Sequence, residues 1–236
     1  MSTTNTITVV ASPPLALHFC SDKLAPPALD VQNDTIIDPL SVDHHVQPTW
    51  PLSADSLEDV FAYKASHDGI VAAQNGIVAA RDLQAGSHLA YLTSQTPSEN
   101  TWATLMTSRT TFVDVNSAFL YVNHGCTPNL TLAIFAPDAN GSYPQGRSGE
   151  IRVRPDRDIA KGEELTWFCP QTEWVSARPF QCQCGAASDV CVGLQRGSKY
   201  LTRSQLEGHE LAPHVLALLD ERGDCIVERG TLSGLR

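Results

Sequence analysis

No stretch of this 236-residue chain approaches the roughly 18 uninterrupted apolar residues of a membrane-spanning helix; the best early run, 7–17, is broken by Ser12, Pro13 and Pro14. No membrane partner is expected. The first positive residue is Lys23, so the N-terminus lacks the basic region that precedes the apolar core of a secretory signal. An intracellular location, nuclear or cytoplasmic, follows as the expectation. Positive charge is scarce throughout, with 16 Lys and Arg against 26 Asp and Glu for a net charge of −10. Such a surface repels phosphate backbones, which argues against direct nucleic-acid binding, and attracts a basic protein or peptide. Charged residues make up 18% and hydrophobic residues 42%, too little charge and too much apolar material for a disordered chain, so one or two globular domains are expected. The N-x-Ser/Thr triplets at Asn33, Asn129 and Asn140 are frequent by chance and are read as incidental.

Residues 1 to 57 are rich in Pro, Asp and Thr and read as an irregular leader with two strand-like pieces, 6–10 and 15–19. From 61 to 92 the chain turns to short β-branched and Ala-rich runs between glycines, including a tandem echo, 69–73 and 76–80. The runs 130–136 and 151–153 predict two more strands, joined through a turn-rich insert in which Asn140-Gly141 supplies a hairpin dipeptide. Helix is expected mainly near the C-terminus: Ser204 to Glu207 has capping-box spacing, and 213–222 carries Val215, Leu216, Leu218 and Leu219 before Gly223 stops it. The fold class expected is mainly β, with small sheets and a short helical tail.

Three of the seven cysteines fall close together, at Cys182, Cys184 and Cys191. Clustered thiolates suit a tetrahedral zinc ion, because one turn can aim several sulfurs at a point about 2.3 Å away. The alternative is a reduced cluster that carries no metal. A fourth ligand has to come from afar, and Cys126, in the Gly/Pro-rich turn Asn123-His124-Gly125-Cys126-Thr127-Pro128-Asn129, is the candidate, with His124 as a second option. Cys20 and Cys225 have no such company and read as ordinary thiols.

Tyr121-Val122-Asn123-His124-Gly125-Cys126, then Gly162-Glu163-Glu164-Leu165-Thr166, then Cys182, Cys184 and Cys191, in that order, resemble a SET domain followed by its post-SET zinc loop. Upstream, Asn75-Gly76-Ile77-Val78 through Gly86 is similar to the family's opening strand and turn, and Pro170 to Trp174 is most like the small stand-alone SET proteins of fungi. The resemblance implies a SET fold of small antiparallel sheets in which one segment threads another as a pseudo-knot. It divides the chain into a leader (1–57), a SET domain (58–178), a zinc loop (179–201) and a helical tail (202–236). It further implies methyl transfer from S-adenosylmethionine to a lysine of a protein, with Asn75, Gly76, Asn123 and His124 as cofactor-binding candidates and structural Zn2+ on Cys126, Cys182, Cys184 and Cys191. The interval between Cys184 and Cys191 is longer than the family's usual one.

Lysine, with a pKa near about 10.4, is protonated at neutral pH and must lose that proton before it attacks a methyl group in line. The family orients the amine with a tyrosine hydroxyl at the end of the Glu-Leu-Thr motif, and here that position is Cys169. A thiol is a poor hydrogen-bond partner, and losing one transition-state contact costs about 3 kcal/mol, or roughly 10²-fold to 10³-fold in rate. Gln74 also stands where a glycine is usual, and Leu120 where an arginine is common. Cys169 admits three readings: a packed small hydrophobe, a residue that reshapes the pocket, or an activated nucleophile. Tyr121, and Tyr91 near the second family tyrosine but one residue early, complete the catalytic candidates. Trp167 and Trp174 are read as core or pocket wall, Glu163 and Glu164 as a solvated turn, and His44-His45 as surface. The functional expectation is a SET-class methyltransferase with altered or weak activity. Its alternative is a SET-derived protein that no longer transfers methyl groups and serves as a small-molecule enzyme of specialised metabolism or a peptide-binding module.

Overall fold

Short apolar runs cut by glycine and proline yield short strands, because each run buries one face and is stopped before it can extend. The computed structural model describes residues 57, 59–64, 76–115 and 117–223. The leader strands, the first half of the tandem echo, Gln74, Asn75, His44, His45, Cys20 and Cys225 lie outside the described residues. In chain order the strands are β1 (Phe61–Tyr63), β2 (Ile77–Ala79), β3 (His88–Leu92), β4 (Pro97–Ser98), β5 (Thr104–Met106), β6 (Phe112–Asp114), β7 (Asn123–His124), β8 (Leu130–Ile134), β9 (Gly149–Val153), β10 (Thr166–Trp167), β11 (Phe180–Gln181) and β12 (Leu194–Gln195).

They form separate small sheets: β1-β2, β3-β9-β8, β4-β6-β5, β10-β7 and β11-β12. The fold is mainly β, as the sequence indicates. β8 and β9 pair antiparallel, with Leu132 opposite Ile151, and their side chains sit at the centre of the core. Burying each such side chain contributes about 1.5–3 kcal/mol before chain entropy is charged against it. The Asn140-Gly141 turn lies between them: Asp138 Oδ1 accepts from the N–H groups of Asn140 and Ser142, and Gly141 takes φ +80°, which its lack of a Cβ permits.

Two helices close the described chain, α1 (Arg203–Leu206) and α2 (Pro213–Arg222). α2 begins at Pro213 and ends at Gly223, whose φ of +88° allows its N–H to reach Leu219 O and Asp220 O. For α1 the capping box lies earlier than Ser204 and Glu207. Thr202 is the cap and Gln205 its reciprocal partner, since the Thr202 side chain accepts from Gln205 N and Gln205 Oε1 accepts from Thr202 N. Between the sheets and these helices, the turn Cys169–Gln171 is fixed by the buried Gln171, whose Nε2 donates to Leu132 O at 2.7 Å and to Thr131 Oγ1 at 3.1 Å. That bond set ties the turn that begins at Cys169 to β8.

Candidate active site and cysteine cluster

The two motif segments meet directly. β7 and β10 pair parallel, Asn123 opposite Thr166 and His124 opposite Trp167, and Gly125 N donates to Trp167 O at 2.9 Å. The residues just before β10 are held on their other side by β2, through Ala79 N to Glu163 O and Leu165 N to Ile77 O. The segment is therefore clamped from both sides. Gly125 is needed at the crossing, because a Cβ there would lie 2.8 Å from Thr166 Oγ1 and 2.9 Å from Thr166 Cβ. Gly76 approaches as closely from another direction: a Cβ on it would come within 2.4 Å of Asn123 Nδ2.

A cleft of about 700 Å³ opens on this crossing. Asn123, His124, Gly125 and Thr166 line one part of it; Trp102, Leu105, Tyr121, Trp167, Cys169 and Glu173 line another, and Phe180, Gln181, Gln183 and Cys184 form a wall from the cysteine-bearing hairpin. That volume falls in the range of small-molecule and cofactor sites. Asn123 does not point freely into it, since Asn123 Nδ2 donates to Glu164 Oε1 at 2.9 Å while Glu164 Oε2 pairs with Lys64 Nζ at 2.8 Å. Glu164 is accordingly a positioning group and a cleft residue rather than a solvated turn. Burial opposes its ionisation, but the Asn123 and Lys64 contacts prevail and hold it below the ordinary carboxylate value.

Glu163 is likewise engaged. Arg157 pairs with it, and Ala160 N and Asn129 Nδ2 donate to it, so its pKa is lowered, by Arg157 first. The sign for stability is definite. A carboxylate whose folded pKa lies below its unfolded value adds stability that is complete above the unfolded value, about 4.3, and is lost as pH falls from there through the folded value. The urea midpoint is therefore expected to fall between about pH 5 and about pH 3, and Glu163→Gln to flatten part of that fall. An unchanged slope in the variant would show that the Arg157 pair contributes nothing.

The four sulfurs of Cys126, Cys182, Cys184 and Cys191 lie within 4.8 Å of one another and could hold a metal ion. Four thiolates about 2.3 Å from a tetrahedral centre stand about 3.8 Å apart. Cys126 Sγ and Cys182 Sγ are 3.7 Å apart. Burial is the first cause that pushes the Cys126 thiol up to about 12 and raises Cys182 further, whereas at Cys184 backbone and thiol hydrogen bonds overcome burial and bring it down to about 7. Sulfurs so crowded cannot all ionise unaided, and a bound cation would supply the missing compensation. The cluster closes the β11–β12 hairpin, where Cys182 N donates to Gly193 O at 2.7 Å, and it ties that hairpin to the turn after β7.

His124, the other candidate for the remote ligand, stands outside the group of four sulfurs. Its Nδ1 accepts from Cys169 N at 3.3 Å, which leaves the ring proton on Nε2, 3.4 Å from Cys126 Sγ, where it donates to the sulfur. Burial first, and nearby His209 second, lower its pKa to about 4, so the ring is neutral. With both nitrogens engaged, the His124 ring offers a ligand in the cleft no free polar atom.

Tyr121 and Cys169 line the cleft; Tyr91 does not. The β3–β9 register shifts between His88 and Ala90, and alternation then buries Leu92 while Tyr91 lies on the other face, under Arg147 at 3.7 Å and beside His88 at 4.4 Å. Cys169 is buried at 9% exposure, and burial first, then the Glu173 carboxyl, raise its thiol well above its ordinary value. It stays protonated at neutral pH, against the reading as an activated nucleophile. Gly76 sits where expected beside Asn123, and Asn75 lies outside the described residues. Sequence reasoning missed Glu173 in the cleft wall and the buried Gln195 that donates to it; only the position of Glu173 just beyond the Glu-Leu-Thr motif could have pointed to the pair.

Small sheets, a parallel crossing of two motif segments over a cleft, and a four-thiol cluster beside it define the SET type of fold. The family model described as SET domain matches residues 74–169. "Methyltransferase flvH" of Aspergillus flavus is 32% identical over 174 residues, which cover 73% of this chain and 84% of that protein. The chain belongs to the SET-domain family, and its class is that of the SET methyltransferases. Among the described residues no helix is long and apolar enough to cross a membrane.

Proposed function

We propose that the cleft binds S-adenosylmethionine and that the protein methylates an amine, in the first instance a protein lysine, at a rate limited by the cysteine at 169. The observation that carries this reading is the β7–β10 crossing, which lays Asn123 and the His124 main chain along a cleft of about 700 Å³. The residues fit such a cofactor. Gly125 on the cleft wall lets β7 close on Thr166, Gly76 leaves room for the Asn123 amide, and the Lys64–Glu164–Asn123 chain of contacts fixes that amide. When bound, the cofactor supplies a methyl group on a sulfonium sulfur. The protein positions and desolvates: Tyr121 and Trp167 wall the acceptor side, and the hairpin of Phe180 excludes water from the other. Zinc is the ion proposed for the four thiols, its role structural because all four positions are filled by protein.

The test is methyl transfer from S-adenosylmethionine to a lysine peptide, followed by mass spectrometry. Slow single-methyl product is expected, and Cys169→Tyr should raise the rate by roughly 10²-fold if the lost hydroxyl is the main defect. A second reading has one observation in its favour, the packed and protonated state of Cys169, which suits a cavity reshaped for something other than lysine. Under that reading the protein is a small-molecule enzyme or peptide-binding module, and Cys169→Tyr gives no gain.

A further inference from the structure

Glu173 is a cleft carboxyl with an unusually well-defined support. Its N–H donates to Cys169 O at 3.2 Å and its C=O accepts from Ser198 N at 2.8 Å, so the backbone is held on both sides. Its Oε2 accepts from Gln195 Nε2 at 2.9 Å. Gln195 is fully buried, and Gly197 N donates to its Oε1 at 2.8 Å, which fixes the nitrogen of the amide toward Glu173. The same amide side chain also hydrogen-bonds Cys169. Gln195 thus couples the two residues that face the acceptor part of the cleft.

The two acids among the cleft's described lining residues differ in charge balance. Glu164 is matched by Lys64, whereas the donors to Glu173 are the neutral Gln195 and Ser176. Desolvation first, against those hydrogen bonds, raises the Glu173 carboxyl above its ordinary value. A carboxylate in a cleft wall with neutral donors alone is costly, and a ligand that brings a positive charge removes the cost. No tyrosine hydroxyl stands at 169 to orient an amine, and Glu173 lies one helical turn beyond it.

We propose that Glu173 is the catalytic residue that receives the acceptor: an alkylammonium group enters beside Cys169, pairs with the Glu173 carboxylate and surrenders its proton to it. This rests on the cleft being the methyl-transfer site. The proton passes from nitrogen to a Glu173 carboxylate oxygen. The freed lone pair then forms the new N–C bond while the C–S bond breaks, its electron pair remaining on sulfur as a neutral thioether. The positive charge of the sulfonium ends on the methylated nitrogen, and Glu173 returns its proton to water when the product leaves. A raised carboxyl suits the task, since it narrows the gap to the amine that must be deprotonated.

The experiment titrates zinc-loaded protein with pentylamine and, separately, with 1-pentanol, read by the fluorescence of Trp102 and Trp167 in the cleft wall. The wild type is expected to bind the amine at least about tenfold more tightly than the alcohol, and Glu173→Gln to bring the two within about twofold, with S-adenosylhomocysteine still bound by calorimetry. An amine that binds no better than the alcohol to wild type, or that is not bound at all, overturns the proposal without need of any variant. So does a tenfold preference that survives in Glu173→Gln. If S-adenosylhomocysteine binds but the amine preference is absent, only the role of Glu173 falls; if the wild type fails to bind S-adenosylhomocysteine, the methyl-transfer reading falls with it.

Discussion

Cys126→Ser is expected to reduce bound zinc from one ion per chain to a small fraction of that and to lower the melting temperature markedly. Cys126 is the thiol of the cluster that comes from the middle of the chain, whereas the other three sit on the β11–β12 hairpin, so a metal held by the four would join two distant segments there. It is buried at 2% exposure, its sulfur accepts from Val192 N at 3.3 Å and from the His124 ring, and a serine oxygen there is a harder and weaker ligand for zinc. Structural zinc contributes about 10–16 kcal/mol of binding free energy in finger peptides, where no other core exists. A quarter of that, about 3–4 kcal/mol, corresponds to a fall of about 6–16 °C for a chain of this size. Cys169→Ser, outside the cluster, should leave the zinc content at one. Zinc analysis with a thermal melt checks both, and full zinc in Cys126→Ser would remove the metal from the account.

Gly125→Ala should sharply weaken cofactor binding while most of the sheet core remains. The added Cβ meets Thr166 at its Cβ as well as its Oγ1, both under 3 Å, so a rotamer change cannot relieve the clash and the β7–β10 backbones must part. Overpacking of this kind costs about 1–3 kcal/mol. Because Asn123 and His124 are the two paired residues of β7, the displacement falls on the cleft floor, and S-adenosylhomocysteine affinity is expected to drop by at least about 10²-fold with the far-ultraviolet spectrum little changed. Thr166→Gly in the same chain removes the obstructing atoms and should recover part of the affinity, the signature of a direct contact between the two positions. Unaltered binding in Gly125→Ala would mean that the crossing does not form the cofactor floor.

Much of this site was legible because its chemistry demands particular residue types at particular places. Thiols close enough to share one ion show in the sequence as Cys182, Cys184 and Cys191 in one loop, and the Gly/Pro-rich turn around Cys126 marks where the fourth sulfur is presented. Strands β8 and β9 were readable from apolar runs, and α2 from Pro213 and Gly223, because those signals are local. What was not legible depends on the third dimension. The β4-β6-β5 sheet spans 97–114, a Ser/Thr-rich stretch without clear alternation, and is held by pairing that no local pattern announces. The face of Tyr91 is set by an irregularity in β3, and counting residues cannot detect a bulge. Glu164 reads as an ordinary turn acid until Lys64 and Asn123 are brought to it, and Gln195 reads as any polar residue until its amide is found buried between Glu173 and Gly197. Sequence spacing reports which atoms a site needs; it reports poorly which neutral or acidic side chains the fold delivers from elsewhere.

The most direct measurement is calorimetric titration of the zinc-loaded protein with S-adenosylhomocysteine, before and after the metal is removed by a chelator. One site per chain is predicted for the loaded protein, with affinity lost on chelation, since Phe180, Gln181, Gln183 and Cys184 bring the cleft's outer wall from the hairpin that carries three of the four thiols. No heat from the loaded protein, or equal affinity with and without the ion, would contradict a nucleoside cleft closed by the cysteine cluster.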